Sequence, residues 1–325
     1  MTAPLLEARA VAKHFPVREG LFGTVPLRAV DGVDVAVEEA ETLGLVGESG
    51  CGKSTLARLL VGLVAPTAGE VRFRGEPLVA PTTARGRRQR RDLQIVFQDP
   101  YGSLNPRMAA GEIVGRALAV HRIGSAADRR RRVAALFEDV GLRPEYTRRY
   151  PHEFSGGQRQ RIAIARAIAT SPRLVVLDET TSALDVSVQA RILTLLKDLQ
   201  AEMGLTYVFV SHNIGVIREM ANRVAVMYLG KFVEVAPTRT AFSAPLHPYT
   251  RALLSAVPSL AVGAVPSRPL IEGDPPSALR PPAGCRFHTR CPWAQDRCRV
   301  EAPALRPLGS DGLVACHFAE TLAAG

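Results

Sequence analysis

Apolar residues along the chain come in short bursts divided by turn-rich stretches, and the period of each burst predicts an element. "ETLGLVG" (41–47) reads as a buried strand and "KSTLARLLVGL" (53–63) as an amphipathic helix. "RLVVLDE" (173–179) is a strand with four apolar residues, Leu174 to Leu177, and "TYVFV" (206–210) is another. Within "FSGGQRQRIAIARAIA" (154–169), apolar Ile162, Ile164, Ala165 and Ile168 mark a packed helix that opens at Ser155. Residues 1 to about 98 alternate short strands with the first helix, 99 to about 170 are helical and turn-rich, and 171–237 return to strand–helix alternation. This predicts an α/β core with a helical insertion. "QDPYGSLNPR" (98–107) is dense in turn residues yet carries Tyr101 and Leu104, a loop with apolar surface to bury. From about 238 the chain becomes proline-rich, and no internal repeat occurs.

Composition narrows the class. With 325 residues, 46% of them hydrophobic, the chain can bury at least one core, and its length predicts one or two domains. No apolar run approaches the roughly 18 residues of a membrane helix, and "MTAPLLEARAVAKHF" lacks the order of a signal peptide, so a cytosolic chain is expected. The net charge of +10 raises nucleic acid and anionic lipid as partners. Lysine occurs only at 13, 53, 197 and 231, however, so the excess of arginine reads as coding bias. "RGRRQRR" (85–91) and "RRRR" (129–132) read as solvated helix faces, and no nucleic-acid partner is expected.

One of the four lysines falls within Gly47-Glu48-Ser49-Gly50-Cys51-Gly52-Lys53-Ser54, followed by Thr55, which fits the phosphate-binding loop G-x-x-x-x-G-K-[ST]. Glycines let the backbone take positive φ and turn its N–H groups inward, and the helix that follows aims its positive end at phosphate. Lys53 supplies a flexible point charge and Ser54 a hydroxyl ligand for Mg²⁺, whereas Cys51 occupies a variable position. The strand before and the helix after supply the context the motif requires. The strand 173–179 delivers Asp178, suited to hold the Mg²⁺ shell, and Glu179, suited to polarise water. Ser155 and two glycines make a second anion-binding helix end, distant in sequence from the first.

"SGGQ", the aspartate–glutamate strand, "SALD" (182–185) and the isolated "SH" (211–212) together resemble the ATP-binding-cassette (ABC) ATPases. That resemblance implies a P-loop, RecA-like core with an antiparallel β subdomain and a helical signature subdomain at about 99–170. The cassette would span 1–255, and 256–325 would be a Pro/Cys-rich C-terminal extension. It implies ATP and Mg²⁺ as ligands, with Phe15 stacking on adenine and Gln98 sensing Mg²⁺ and water. Ser155, Gly156, Gly157 and Gln158 would act in trans on a second cassette, Asp185 would link the two sites, and His212 would contact the γ-phosphate. Two positions depart from the family pattern, with Thr180 where proline follows the glutamate and Asn213 where aspartate follows the histidine. Lys53, Glu179 and His212 are all present, so an active ATPase is expected. About a hundred residues, without sustained heptads, separate the loop from the signature, unlike the cassettes of chromosome organisation.

"HPYTRALLSAVP" (247–258), "DPYGSLNPR" and the cysteine-bearing end further resemble the ATPase subunits of dipeptide and oligopeptide importers. Relatives of that kind also move nickel and some sugars. The resemblance implies a second, unlike ATPase subunit, two transmembrane permease subunits docking at the 98–107 loop, and an extracytoplasmic solute-binding protein. The chain would then sit peripherally on the cytoplasmic face of the membrane. Cys285, Cys291, Cys298 and Cys316 follow C-x5-C-x6-C-x17-C, which misses the paired C-x2-C of common zinc sites. Disulfides are disfavoured in a cytosolic chain. Importers of this type can carry a [4Fe–4S] cluster in the matching segment, so iron–sulfur is preferred to zinc. Four reduced, half-buried thiols are the alternative.

Overall fold

The computed structural model describes residues 3–20, 23–182, 184–255, 273–309 and 312–323. Ala183 of "SALD", the end of "HPYTRALLSAVP" and the start of the expected extension, 256–272, lie outside the described residues. The chain forms two compact units, each built from more than one stretch. The first comprises Met1–Leu6, Val37–Glu41 and Arg72–Val210, and the second Glu7–Ala36, Thr42–Val71 and Ser211–Gly325.

In the first unit, strands Leu93–Val96, Leu174–Asp178 and Thr206–Val210 run parallel, with Leu174–Asp178 in the middle. Leu174 to Leu177 and Tyr207 to Val210 are all buried, the near-continuous apolar run of a parallel strand covered on both faces. The helical insertion contains Ala110–Val120, Ala126–Asp139 and Gly156–Ile168, which pack on one another. All four apolar positions expected to face inward on the last of these, Ile162, Ile164, Ala165 and Ile168, are buried. The arginine runs fall on Ala84–Asp92 and Ala126–Asp139, where Arg87, Arg88, Arg91, Arg130 and Arg131 are exposed.

In the second unit, strands Leu6–Glu19 and Gly23–Val37 share a sheet with Ala68–Phe73. A further sheet begins with Thr42–Val46, which pairs in parallel with Arg223–Tyr228. That strand pairs antiparallel with Lys231–Pro237, which in turn takes Gly312–Val314 at its edge, with Glu234 opposite Val314. Two strands of this sheet, Arg306–Leu308 and Gly312–Val314, thus come from the extension. The extension also places Phe287 edge-on against Tyr228, with ring centroids 5.3 Å apart, and 5.4 Å from Tyr249. Its apolar core is therefore shared with the preceding strands, which is how so proline-rich a segment folds.

Candidate nucleotide site

The expected strand–loop–helix is present as Thr42–Val46, the loop 47–52 and the helix Lys53–Leu60. The helix stops three residues earlier than its apolar pattern because Gly62 (φ 65°) closes it. The Gly62 N–H donates to Leu59 O and the Leu63 N–H to Arg58 O, a Schellman pair. Gly47, Gly50 and Gly52 all have positive φ, 154°, 77° and 110°. At Gly52 a Cβ would lie 2.0 Å from Ala29 O, and at Gly47 2.2 Å from Met227 O, so both positions need glycine for space as well as conformation. Gly52 precedes the helix without a side-chain cap. Lys53 is buried, and its ammonium donates to Gly47 O (2.8 Å) and Glu48 O (2.9 Å) from within the loop. Burial pushes the Cys51 thiol above its ordinary pKa, so it stays uncharged beside that ammonium. Ser49 and Gly50 are exposed, and Ser54 and Thr55 half-buried on the first turn.

In the first unit, Asp178 ends its strand, 2% exposed, and Glu179 follows at φ 48°. Parallel register explains the neighbour of Glu179, because Val96 pairs with Leu177 and the residues two positions on are Gln98 and Glu179. Gln98 Nε2 donates to Glu179 Oε2 at 2.7 Å. The same unit holds the signature helix. Ser155 caps Gly156–Ile168 by accepting from the Gln158 N–H, while Gln158 Oε1 accepts from the Ser155 N–H, a closed capping box. A Cβ on Gly157 would come within 2.5 Å of Val188 Cγ1, whereas at Gly156 the nearest atom is 3.8 Å away, so close helix packing requires only the second glycine. Asp185 caps the helix Val186–Met203, accepting from the Val188 N–H (2.9 Å) and Ser187 Oγ (2.8 Å), and those bonds lower its carboxyl pKa.

His212 is exposed on the turn into Ile214–Met220, in the second unit. The Ser211 N–H donates to Leu45 O, which sets this turn beside the strand that enters the phosphate loop. Asn213 Oδ1 accepts from the Gly215 and Val216 N–H groups, the capping that aspartate would perform. Phe15 is half-buried on Leu6–Glu19, with Lys13 Nζ 5.2 Å from its ring centroid.

Two features involve the extension, and the first was not expected. Arg290 of the extension forks onto Glu48 of the phosphate loop, its two terminal nitrogens 2.8 and 3.0 Å from the carboxylate oxygens, and the Glu48 N–H donates to Tyr249 Oη. Arg286 likewise holds Asp31 and Leu229 O, and Asp31 also bonds His14. No local pattern announces pairs 242 and 255 residues apart. The other feature is that all four late cysteines line one small apolar void of about 20 Å³, with His288 and His317. All are free thiols, and burial pushes Cys285 up to about 11 and Cys291 to about 12. Among the described residues, no three His, Cys, Asp or Glu side chains are gathered to hold a metal ion.

A family model described as "ABC transporter" matches residues 30–182, and one described as "Oligopeptide/dipeptide transporter, C-terminal region" matches 233–298. The chain is 49% identical over 317 residues to the di/tripeptide transport ATP-binding protein DppF of Pseudomonas aeruginosa, covering 97% of this chain and 98% of that protein. It is 46% identical over 319 residues to the oligopeptide transport ATP-binding protein AppF of Bacillus subtilis, covering 97% of each. Among solved structures, a dimeric ATP-binding cassette in a post-hydrolysis state bound to ADP and Pi superposes with a TM-score of 0.64 at 31% identity, over 72% of this chain and 99% of that one.

Proposed function

The chain belongs to the ABC transporter ATPases with the oligopeptide/dipeptide-type C-terminal region, and on that premise we propose that it drives import of dipeptides or oligopeptides. The observation that carries this reading is likeness to peptide-transport ATPases over nearly the whole chain, extension included. In this reading 1–255 is the ATP-hydrolysing cassette, with its helical subdomain at about 99–170, and 256–325 the extension. Lys53 takes the phosphates with Gly47, Ser49, Gly50, Cys51, Gly52, Ser54 and Thr55 of the loop, Phe15 the adenine, and His212 the γ-phosphate. Ser54, Asp178 and Gln98 offer the hard oxygen donors that Mg²⁺ takes, and the ion neutralises charge on the transferred phosphoryl group when bound. Glu179, steadied by Gln98, accepts the proton of the attacking water. Ser155, Gly156, Gly157, Gln158 and Asp185 face a second, unlike cassette.

The permease subunits dock on the first unit. A cavity of about 420 Å³ there is lined by Gln94, Ser103, Met108, Ile113, Val120 and Arg166 among others. Tyr101 beside it is 63% exposed and stands under the Arg159 guanidinium. No described helix is long and apolar enough to cross a membrane, so attachment to the cytoplasmic face would run through these subunits. Purification from membranes with two integral subunits, a second ATPase and peptide-stimulated hydrolysis is the expected result. Recovery without membrane subunits, or stimulation only by a non-peptide solute, would overturn it.

The cysteines support a second reading within the first. A single zinc needs thiolates about 3.8 Å apart, from Zn–S bonds of about 2.3 Å, and the described side chains show no such grouping. Four thiols around one void would supply the donor number of a [4Fe–4S] cluster, whose ligands stand further apart than those of one zinc. At about 20 Å³ the void has room for about one water, so cluster binding would require the loops bearing the thiols to part and the thiols to lose protons. Iron and sulfide in anaerobically purified protein are expected. Four thiols titrating in iron-free native protein would leave the reduced-thiol alternative in place.

A further inference from the structure

An acidic residue inside a phosphate loop is electrostatically awkward, since Glu48 places a negative charge next to the residues that receive a triphosphate. The carboxylate is not left bare, because the Arg290 guanidinium meets it with two parallel bonds of 2.8 and 3.0 Å. The Arg290 side chain is 9% exposed and that of Glu48 27%, so this is not a solvent-screened surface pair. Burial works against the Arg290 charge, yet its bonds to Glu48 and Tyr228 outweigh that and raise its pKa. Glu48 is also a junction. Its carbonyl accepts from Lys53 Nζ at 2.9 Å and its N–H donates to Tyr249 Oη at 2.8 Å.

We propose that Arg290 of the C-terminal extension is a positioning residue for ATP binding, cancelling and orienting the Glu48 carboxylate so that the phosphate loop admits a triphosphate. The extension is thereby part of the nucleotide site's electrostatics and not only an appendage. Arg290 is not what keeps the extension in place. Arg286 anchors it separately on Asp31, Phe287 packs against both Tyr228 and Tyr249, and Gly312–Val314 pairs with Lys231–Pro237. Loss of the Arg290 charge therefore leaves a folded chain with a bare Glu48.

The inference rests on residues 47–54 being the triphosphate site, and the experiment separates the two. Binding of Mg-ATP to the full chain is measured for wild type, Lys53→Ala, Arg290→Met and Arg290→Met/Glu48→Gln at two salt concentrations. Arg290→Met should weaken binding about tenfold, about 1.4 kcal/mol, and by less at high salt because the added repulsion is screened. Adding Glu48→Gln removes the bare charge and should restore the affinity to within about twofold of wild type. A purely structural role for Arg290 would not be rescued this way, so a double variant as weak as Arg290→Met overturns the proposal. Wild-type affinity in Arg290→Met overturns it equally. If Lys53→Ala binds ATP like wild type, the assignment of the loop itself fails instead.

Discussion

Acid should loosen the second unit through His247. The side chain is 1% exposed and its Nδ1 accepts from the Tyr249 N–H at 3.0 Å, while the His247 backbone N–H donates to Glu234 Oε2 at 2.9 Å. Burial drives its pKa from 6.5 down to about 3, against the opposing pull of a hydrogen bond to the Ala315 backbone. The unfolded chain thus takes up the proton first, and the stability that neutral His247 supports is complete only above its unfolded pKa. It falls as pH drops through that value, by about 2 kcal/mol at about pH 5 and about 4 kcal/mol near pH 3. Glu234 acts with the opposite sign. Burial raises its carboxyl pKa, so the folded state gains protons there and part of the loss is offset. The His247 share is isolated by comparing wild type with His247→Asn, whose amide can still accept and donate but does not titrate. Urea unfolding between about pH 7.5 and about pH 5 should cost the wild type about 2 kcal/mol more than the variant. Parallel pH profiles for the two proteins would refute the argument.

Glu179→Gln should bind ATP normally and slow hydrolysis about 10²-fold or more in a phosphate-release assay, since the amide cannot accept the water's proton. Ser155→Arg should leave folding intact, because the helix interior stays packed, while blocking ATP-driven pairing seen by light scattering. Full hydrolysis by a strictly monomeric sample would contradict the shared-site reading.

The elements that carry the site motifs were legible because each is local. "ETLGLVG" needed only its apolar run to read as a strand, and Ile162 through Ile168 needed only their spacing. The neighbourhood of Gln98 and Glu179 was less accessible, since it depends on the register of Leu93–Val96 against Leu174–Asp178. The extension was hardest. Gly312–Val314 spans three residues, too few for alternation to show, and its paired residues lie 78 and 80 positions earlier in the chain. Reading the arginine excess as coding bias fits the exposed Arg87 and Arg88, yet it passed over Arg286 and Arg290, which are largely buried in ion pairs. Composition counts charges without regard to where folding places their partners, and these partners lie at the other end of the sequence.

The departures at 180 and 213 illustrate how local geometry absorbs a change of residue. At 213 the requirement is an acceptor for the first turn of Ile214–Met220, and an asparagine oxygen meets it as well as aspartate. At 180 proline would restrain the chain after Glu179, which itself sits at φ 48°, a conformation costing on the order of 1–3 kcal/mol. Such a conformation persists only where neighbours over-determine it, and here they do. The Glu179 N–H donates to Val210 O at 3.0 Å, its carbonyl accepts from Ser182 Oγ at 3.0 Å, and its carboxylate accepts from Gln98. Thr180 is itself buried, 3% exposed. With the residue pinned at nitrogen, carbonyl and side chain, the rigidity that proline supplies is redundant, and the carboxylate keeps its orientation without it.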